Sequence, residues 1–277
     1  HDEIGAVAST FDSMTRNLER AEAMRLELED RERQAELGAE VQQRLFPSKL
    51  PTPKGLLLDA AKRTSGDLAS DLFDVLPTPD ARTTLLVMTT TGRGVPAAIV
   101  LSMARSLARA VAERETEPRR ILIELNRLLS PDLKRGFFVS AVCAAADAET
   151  GEVVLASAGS RAPALHTIAA QNAVRSMQPD GIALGLDLGP VFEKSLQEAR
   201  FTLASGDALV LFTEGALMLC GPDGAPLGDA AFKRAALSEA KAPDRGRFAN
   251  RLLDAFASKL ADDPGAFDAT VVTVVRS

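Results

Sequence analysis

Acidic side chains gather around one short apolar run in the first third of the chain. Asp67, Asp71 and Asp74 lie just before or within this run, and Glu214 follows a second apolar run much later. Mg²⁺ and Mn²⁺ are hard cations that bind carboxylate oxygens, so acids that converge from strand ends would suit a divalent-metal site. The alternative is structural: aspartates in turns accept hydrogen bonds from backbone amides, and Glu214 would be a solvated end-of-strand residue.

A glycine-rich turn between a strand and a helix is the second feature. Leu85–Met88 predicts a strand, and Val95 and Pro96 predict the start of an alanine-rich helix that reaches Glu115. The turn between them lies at a sheet edge, where functional residues usually collect. It offers three threonines and Arg93 but no acid or general base. Arg93 is expected to be exposed, or else to bind an anion at the helix N-terminus.

The first fifty residues predict a long helix with one apolar stripe. The stripe residues recur at the alternating spacing of a coiled-coil seam: Ile4, Val7, Phe11, Met14 and Leu18. A single helix cannot bury such a stripe, so we expect a homodimer through this arm. The alternative is a solvated surface helix. The stripe loses phase after Leu18, resumes at Leu37, and ends before Pro47, which stops the helix.

Composition excludes several classes of protein. The 277 residues are 46% hydrophobic and 25% charged, which suits a globular domain with a full core. A net charge of −6 argues against a nucleic-acid partner, which needs a basic surface. Cys143 and Cys220 lack metal-ligand spacing and predict plain thiols, and His166 has no partner at ligand spacing, so we expect it to be structural or exposed. The sequence has no run of 18 apolar residues.

The glycine-rich turn resembles the central motif of the PPM-type serine/threonine phosphatases of the sporulation protein E and RsbU group. That motif reads G-D-V-S-G-H-G-x-P-A-A, and here Met88–Ala98 keeps the last two glycines, the proline and the alanines, with Thr89 in place of the aspartate. The most specific match is Ser205–Gly215, against G-D-x-L-x-L-Y-T-D-G. Other family patterns are matched in the same order along the chain, at Gln43–Pro51, Ala69–Val75, Leu125–Leu129, Ser157–Pro163, Asp180–Gly185 and Ala266–Val275.

The resemblance implies an α+β fold, the α-β-β-α sandwich of the PPM phosphatases, over residues 47–277. The sequence agrees, because short apolar strands bounded by Gly and Pro are followed by grouped helices. We expect a second helix over Pro118–Leu129, a hairpin of strands over 137–146 and 152–158, and a final strand within 266–275.

Four family acids hold two Mn²⁺ or Mg²⁺ ions in the phosphatases that this chain resembles. The resemblance places these acids at Asp71, Thr89, Glu214 and Phe267, so one acid is unchanged, one is lengthened and two are missing. Thr89 stands at the bridging position, and a neutral hydroxyl cannot offset two dications. Asp268 could be a shifted ligand, but on a strand its side chain would face away from that of residue 267. We therefore expect no catalytic residues, metal or cofactor; any residual metal would be held by Asp71, Asp74 and Glu214.

Residues 1–20 resemble the second helix of a HAMP linker, since Asp2-Glu3-Ile4-Gly5 precedes the apolar stripe. Residues 21–46 would then be a coiled-coil signalling helix, and 47–277 the output domain. This resemblance implies a cytoplasmic fragment of a receptor in the bacterial inner membrane, with transmembrane segments in an N-terminal part that this sequence lacks.

Two functions follow from these resemblances. The first is a degenerate phosphatase domain, a pseudophosphatase, that acts by binding a STAS-domain or anti-sigma protein in sigma-factor partner switching. The alternative is an active Mn²⁺- or Mg²⁺-dependent phosphoserine phosphatase with a site rebuilt from Asp67, Asp71, Asp74 and Glu214, acting on a STAS anti-anti-sigma protein. A purely structural dimeric spacer is a third, weaker interpretation, since a spacer has no need of a whole globular domain.

Overall fold

The computed structural model describes residues 14–22, 24–26, 29, 33, 46–47, 49–64, 68–219, 228–242, 244–255 and 268–277. Its strands, in chain order, are β1 (Leu56–Arg63), β2 (Asp71–Leu76), β3 (Thr83–Thr90), β4 (Val139–Ala146), β5 (Glu152–Ala158), β6 (Ala164–Ile168), β7 (Ala173–Met177), β8 (Glu198–Thr202), β9 (Ala208–Phe212) and β10 (Ala269–Arg276). The helices are α1 (Gly94–Ala112), α2 (Pro118–Leu129), α3 (Pro190–Ser195), α4 (Gly215–Met218), α5 (Gly228–Ala240) and α6 (Phe248–Asp254), with short 3₁₀ turns at Ser130–Asp132 and Arg245–Arg247.

Within these described ranges the strands form two five-stranded sheets. Sheet 1 has the order β1-β10-β9-β6-β7, and sheet 2 has the order β2-β3-β4-β5-β8. Neighbouring strands pair antiparallel throughout both sheets. Helices α1 and α2 cover the outer face of sheet 2, while α5 and α6 cover sheet 1. The expected α-β-β-α sandwich is confirmed.

Strand β3 shows how the sequence produces these layers. Side chains alternate between the two faces of a strand. Leu86 and Met88 pack with the helices on sheet 2, whereas Leu85 and Val87 pack against sheet 1. Because both faces are buried, the middle of β3 is a continuous apolar run, Leu85–Met88, instead of alternating with polar residues. One face of sheet 2 therefore packs against helices and the other against sheet 1, and the acidic residues of β2 lie on one or the other face.

Helix α1 begins one residue before its predicted start and ends at Ala112 instead of Glu115. It is long and apolar enough to cross a membrane, a property that core helices of globular domains share. Its inner face packs on β2, β3 and α2 through Leu101, Ala104 and Ala108. Small residues on this face let the helix lie close to the sheet. Helix α2 matches its predicted bounds.

The predicted hairpin forms as β4 and β5, and the last strand as β10. Cys143 on β4 is fully buried, which confirms the expectation of a plain thiol, and burial raises the pKa of this thiol. Cys220 lies outside the described residues.

Residues 14–22 of the N-terminal arm are helical. Met14 and Leu18 of the predicted seam are exposed on this helix, at 57% and 62%. The remaining seam residues, Ile4, Val7 and Phe11, lie outside the described residues. The helix is as the sequence predicts, while the dimer and the division into 1–20, 21–46 and 47–277 stay predictions.

Candidate functional site

A cavity of about 580 Å³ opens at one end of the sandwich, between the two sheets. Sheet 2 contributes the start of β2 and the end of β3, where Asp71 pairs with Thr89. Sheet 1 contributes the end of β9 and the start of β10, where the Thr213 amide donates to the Thr270 carbonyl oxygen at 3.0 Å. The cavity thus brings together chain segments nearly two hundred residues apart.

Asp71 lies deep in this cavity, with 3% of its surface exposed. The Thr213 hydroxyl donates a short hydrogen bond to its carboxylate. Burial raises the pKa of Asp71 to about 7; hydrogen bonds from the Thr213 and Thr89 hydroxyls lower this pKa, and the nearby Asp268 raises it. The Asp71 carboxyl therefore holds its proton more tightly than an exposed aspartate, and a cation would have to displace that proton to bind there.

Asp268 is the acid that sequence reasoning set aside. It immediately precedes β10, is 8% exposed and lines the cavity. Its Oδ2 accepts hydrogen bonds from the Ser70 amide at 2.5 Å and from the Ser70 hydroxyl at 2.7 Å. The expectation compared its direction with that of Phe267, which lies outside the described residues; Asp268 itself stands before the strand, where the alternation rule does not apply, and its side chain lines the cavity.

Asp71 and Asp268 each accept a hydrogen bond from a hydroxyl beside a strand of the other sheet. Asp71 of sheet 2 accepts from Thr213, which follows β9 of sheet 1, and Asp268 accepts from Ser70, which precedes β2 of sheet 2. We call these contacts the two cross-sheet hydrogen bonds. The Thr213 hydroxyl also accepts from the Thr270 amide at 3.0 Å, so its proton is directed at Asp71. Each cross-sheet contact thus engages one carboxylate oxygen, Oδ2, of its acid.

Thr89 lies directly opposite Asp71 on the paired strand. Its hydroxyl lies 3.2 Å from the Ser70 carbonyl oxygen and also within reach of the Asp71 carboxylate, so its single proton is shared between these two acceptors. The side chain is partly buried and lines the cavity. At this position the protein has one neutral hydroxyl, which hydrogen-bonds to neighbouring residues of the same chain, whereas an aspartate would supply two charged oxygens.

Glu214 lies at the mouth of the cavity, just before the four-residue helix α4. Its side chain is 44% exposed and faces Arg161, with Nη1 at 3.9 Å from Oε1. Arg161 is itself 84% exposed, so this ion pair is screened by solvent and adds little stability. Arg93, in the turn before α1, is also exposed and lines the cavity, as the sequence predicts.

The structure does not bring Asp74 into this cavity. Asp74 stands three residues after Asp71 on β2, so its side chain lies on the opposite face of sheet 2. There it is 2% exposed and pairs with Arg105 Nε at 2.9 Å and Arg109 Nη1 at 3.0 Å on α1. The expected fallback metal set of Asp71, Asp74 and Glu214 is therefore wrong. Asp67 and Phe267 lie outside the described residues.

His166 has a structural role, as expected, but it does have a partner. Its Nε2 lies 3.1 Å from Oδ2 of Asp207, and its ring stacks on Phe201 with centroids 4.9 Å apart. Asp207 also accepts from the amides of Ala169 at 2.9 Å and Ala204 at 3.0 Å. The pair joins β6 to the turn before β9 and lies away from the cavity.

Two facing antiparallel sheets, covered by helices on both sides and with a polar cavity between their ends, define the PPM phosphatase fold. Comparison with known proteins supports this class. The chain superposes on the SiaA-PP2C domain of Pseudomonas aeruginosa with a TM-score of 0.74 at 18% identity, covering 90% of this chain and 98% of that one. It also superposes on the PP2C phosphatase domain, with a fragment of the regulatory domain, of SpoIIE from Bacillus subtilis, with a TM-score of 0.66 at 19% identity, covering 80% and 63%.

The model of the family described as stage II sporulation protein E (SpoIIE) matches residues 79–277, and the chain belongs to this family. It is 24% identical over 180 residues to phosphoserine phosphatase RsbU of Bacillus subtilis (strain 168), covering 65% of this chain and 52% of RsbU. The RsbU and RsbW domains of Rv1364c from Mycobacterium tuberculosis superpose with a TM-score of 0.64 at 25% identity, covering 81% and 61%. The chain thus spans about half the length of the curated relative that it matches.

PPM phosphatases generally depend on Mn²⁺ or Mg²⁺, so the cavity must be judged against that requirement. Both ions need several converging oxygens, most of them charged. Burial raises the pKa of Asp71, Thr213 donates to its Oδ2, Ser70 donates to Oδ2 of Asp268, and Glu214 lies at the mouth beside Arg161. In the described part of the chain, no group of three acidic, His or Cys side chains is arranged to hold a metal ion. These residues do not fit the two-ion site of the family.

Proposed function

We propose that this domain is a catalytically inactive member of the phosphatase family and acts by binding another protein. The observation that carries the proposal is Thr89, a neutral residue opposite Asp71 at the position where the resemblance places the bridging aspartate. Two dications held a few ångströms apart repel each other unless a shared carboxylate lies between them. A hydroxyl that bonds to its neighbours cannot take that role.

The surroundings of Thr89 support the same proposal. The cross-sheet hydrogen bonds engage Oδ2 of Asp71 and of Asp268, so a cation would have to compete with hydroxyl and amide donors for these two oxygens. Glu214 is one methylene longer than the family's aspartate, which moves its carboxylate by about 1.5 Å, more than a preorganised site tolerates. Each of these differences adds to the loss of the bridging acid.

The proposed context is a dimeric signalling protein. The HAMP-like helix and the exposed apolar positions Met14 and Leu18 support a homodimer through the N-terminal arm, attached to a receptor in the bacterial inner membrane with this part in the cytoplasm. Membership of the SpoIIE family and similarity to RsbU support a STAS-domain or anti-sigma partner, as does the presence of RsbU and RsbW domains in one Mycobacterium tuberculosis protein. The domain would then present or withhold a docking surface in partner switching.

The decisive experiment is calorimetric titration of Mn²⁺ into the 277-residue chain, with hydrolysis of an aryl phosphate followed on the same sample. We expect no saturable binding up to millimolar Mn²⁺ and no metal-dependent turnover. The matched variant combines Thr89→Asp, Glu214→Asp and Phe267→Asp, which restores the family's acids; binding by this variant alone would show that those positions are the cause.

Saturable binding near two ions per chain, with turnover that Asp71→Asn abolishes, would overturn the proposal and favour the active phosphatase. The binding role is tested separately, by titrating purified STAS-domain and anti-sigma proteins from the same cell into the chain. If none of them bound, the partner-switching part of the proposal would be wrong even if the site were inactive.

A further inference from the structure

A second cavity, of about 710 Å³, lies beside α1 at the point where the chain enters the domain. Its walls come from the segment that follows the N-terminal arm, from the end of β2 and the turn after it, and from the middle of α1. Four cationic side chains line it, Lys49, Arg82, Arg105 and Arg109, together with one acid, Asp74. No feature of the phosphatase site accounts for this cavity.

Arg82 is neutralised by the protein itself. Its Nε donates to Asp80 at 2.5 Å, and its Nη2 donates to Glu117 at 2.8 Å and to the Thr116 carbonyl oxygen at 3.1 Å. These ion pairs hold the Arg82 guanidinium at the edge of the cavity with its charge balanced. The charge of the cavity therefore depends on the other three cations and on Asp74.

Arg105 and Arg109 share the single carboxylate of Asp74. Arg105 Nε lies 2.9 Å and Arg109 Nη1 lies 3.0 Å from the same oxygen, Oδ2. Within the described residues, Arg109 Nη1 also donates to Oδ1 of the same carboxylate at 3.2 Å and to the Val75 carbonyl oxygen at 3.3 Å, and Lys49 has no hydrogen bond or ion pair. Three cations thus face one carboxylate, and the cavity carries a surplus of positive charge.

Arg105 also has an N–H group that lacks a hydrogen-bond acceptor among the described residues. Its side chain is only 17% exposed, and its Nε, although close to Asp74, is not aligned for a hydrogen bond. A guanidinium has five N–H donors, and a buried donor without an acceptor destabilises the fold. The terminal Nη atoms of Arg105 are not among the buried unpaired atoms of the described residues and line the cavity, where they can donate to an oxygen-rich anion.

We propose that this cavity binds a phosphorylated small molecule, with the phosphate between Arg105, Arg109 and Lys49. A phosphate has more acceptor oxygens than a carboxylate, so it can accept from the planar guanidinium groups of two arginines at once. Phe46, Leu50 and Leu76 form an apolar wall that suits the organic part of such a ligand, and the volume is that of an ordinary cofactor pocket. The proposal is independent of whether the phosphatase site is active.

The position of the cavity gives the ligand a regulatory consequence. It would contact both Phe46, where the arm ends, and α1, whose preceding turn lines the cavity between the sheets. A ligand bound here would therefore fix the arm relative to the helix that borders the candidate functional site.

The test is calorimetric titration of the 277-residue chain, at low ionic strength and without metal, with inorganic phosphate, pyrophosphate and ATP as probes. We expect saturable binding of at least one probe. Arg109→Gln removes a charged fork and should weaken binding about tenfold. Lys49→Gln, which breaks no hydrogen bond or ion pair among the described residues, should weaken it about threefold. The matched control is Lys54→Gln, an exposed lysine outside the cavity, which should leave the affinity unchanged.

The probes separate the two parts of the ligand. Equal affinity for pyrophosphate and ATP would show that the phosphates alone are recognised. Tighter binding of ATP would show that the apolar wall also contacts the organic part of the ligand. Both results support the proposal. Absence of binding by all probes at millimolar concentration would overturn it. So would binding that Lys49→Gln and Arg109→Gln leave unchanged but Arg161→Gln abolishes, because that anion would lie in the cavity between the sheets.

Discussion

Replacing Asp71 with asparagine tests how far burial opposes ionisation of the carboxyl group in the cavity between the sheets. Asp71 is 3% exposed, and burial raises its pKa from an ordinary value of 3.8 to about 7. Because the pKa is higher in the folded state than in the unfolded state, ionisation of this carboxyl opposes folding. The penalty is absent below about pH 4, grows as the pH rises towards 7, and is constant above the folded-state pKa.

The size of the effect follows from the shift in pKa. About three pKa units correspond to roughly 4 kcal/mol in the free energy of unfolding once the group is fully ionised. About half of this penalty is already present near pH 5.5, so roughly 2 kcal/mol should develop between about pH 5.5 and about pH 8. Asparagine is neutral at every pH and its amide oxygen still accepts from Thr213. The variant should therefore gain about 2 kcal/mol of stability relative to the parent over this interval.

The assay is urea unfolding of both proteins at a series of pH values, comparing the free energies of unfolding. Asp132→Asn, at an exposed position outside the cavity, is the control and should follow the pH dependence of the parent. The reasoning is refuted if the difference between Asp71→Asn and the parent is the same at pH 5.5 and pH 8, or if it changes in the opposite direction. Either result would mean that Asp71 is ionised in the folded protein and available to a cation.

Two further predictions concern the backbone and the arm. Gly159 has φ +70° and a Cβ there would lie 2.6 Å from Ala183, whereas Gly94 has the same φ with no atom within 4 Å of an added Cβ. In urea unfolding, Gly94→Ala should lower the free energy of unfolding by about 1–2 kcal/mol and Gly159→Ala should lower it clearly more; equal losses would contradict the close approach. The proposed homodimer predicts that Leu18→Glu converts the chain to a monomer in sedimentation equilibrium while the exposed, off-seam Asn17→Glu does not, and an unchanged mass for Leu18→Glu would remove the seam from the interface.

The elements of the fold were largely predictable because their signals are local. Helix α2 has proline at its first position and an apolar stripe at helical spacing, and its predicted bounds match the structure. The hairpin of β4 and β5 follows from two apolar runs around a short turn containing Gly151. Boundaries were less secure: residues 266–275 predicted the last strand, and β10 covers Ala269–Arg276. Strand and helix ends depend on tertiary hydrogen bonds that local patterns do not contain.

The candidate site was only partly predictable, for two different reasons. The position of Asp74 could have been found, since an offset of three along a strand places two side chains on opposite faces. The Asp268–Ser70 and Asp71–Thr213 contacts could not, because they join residues 198 and 142 positions apart. The His166–Asp207 pair, 41 residues apart, was missed for the same reason. Such contacts exist only once the two sheets face each other.

These long-range contacts also explain why a single substitution should not recreate a metal site. An aspartate at position 89 alone would add a third acid near Asp71 and Asp268, in a place where burial has already raised the pKa of Asp71. Without cations, three acids in one buried cavity repel one another, so the added group would stay protonated or destabilise the fold. The cross-sheet hydrogen bonds would meanwhile still hold Asp71 and Asp268. Loss of the bridging acid and satisfaction of the remaining acids by hydroxyls therefore reinforce each other, and the family's site can return only when several positions change together.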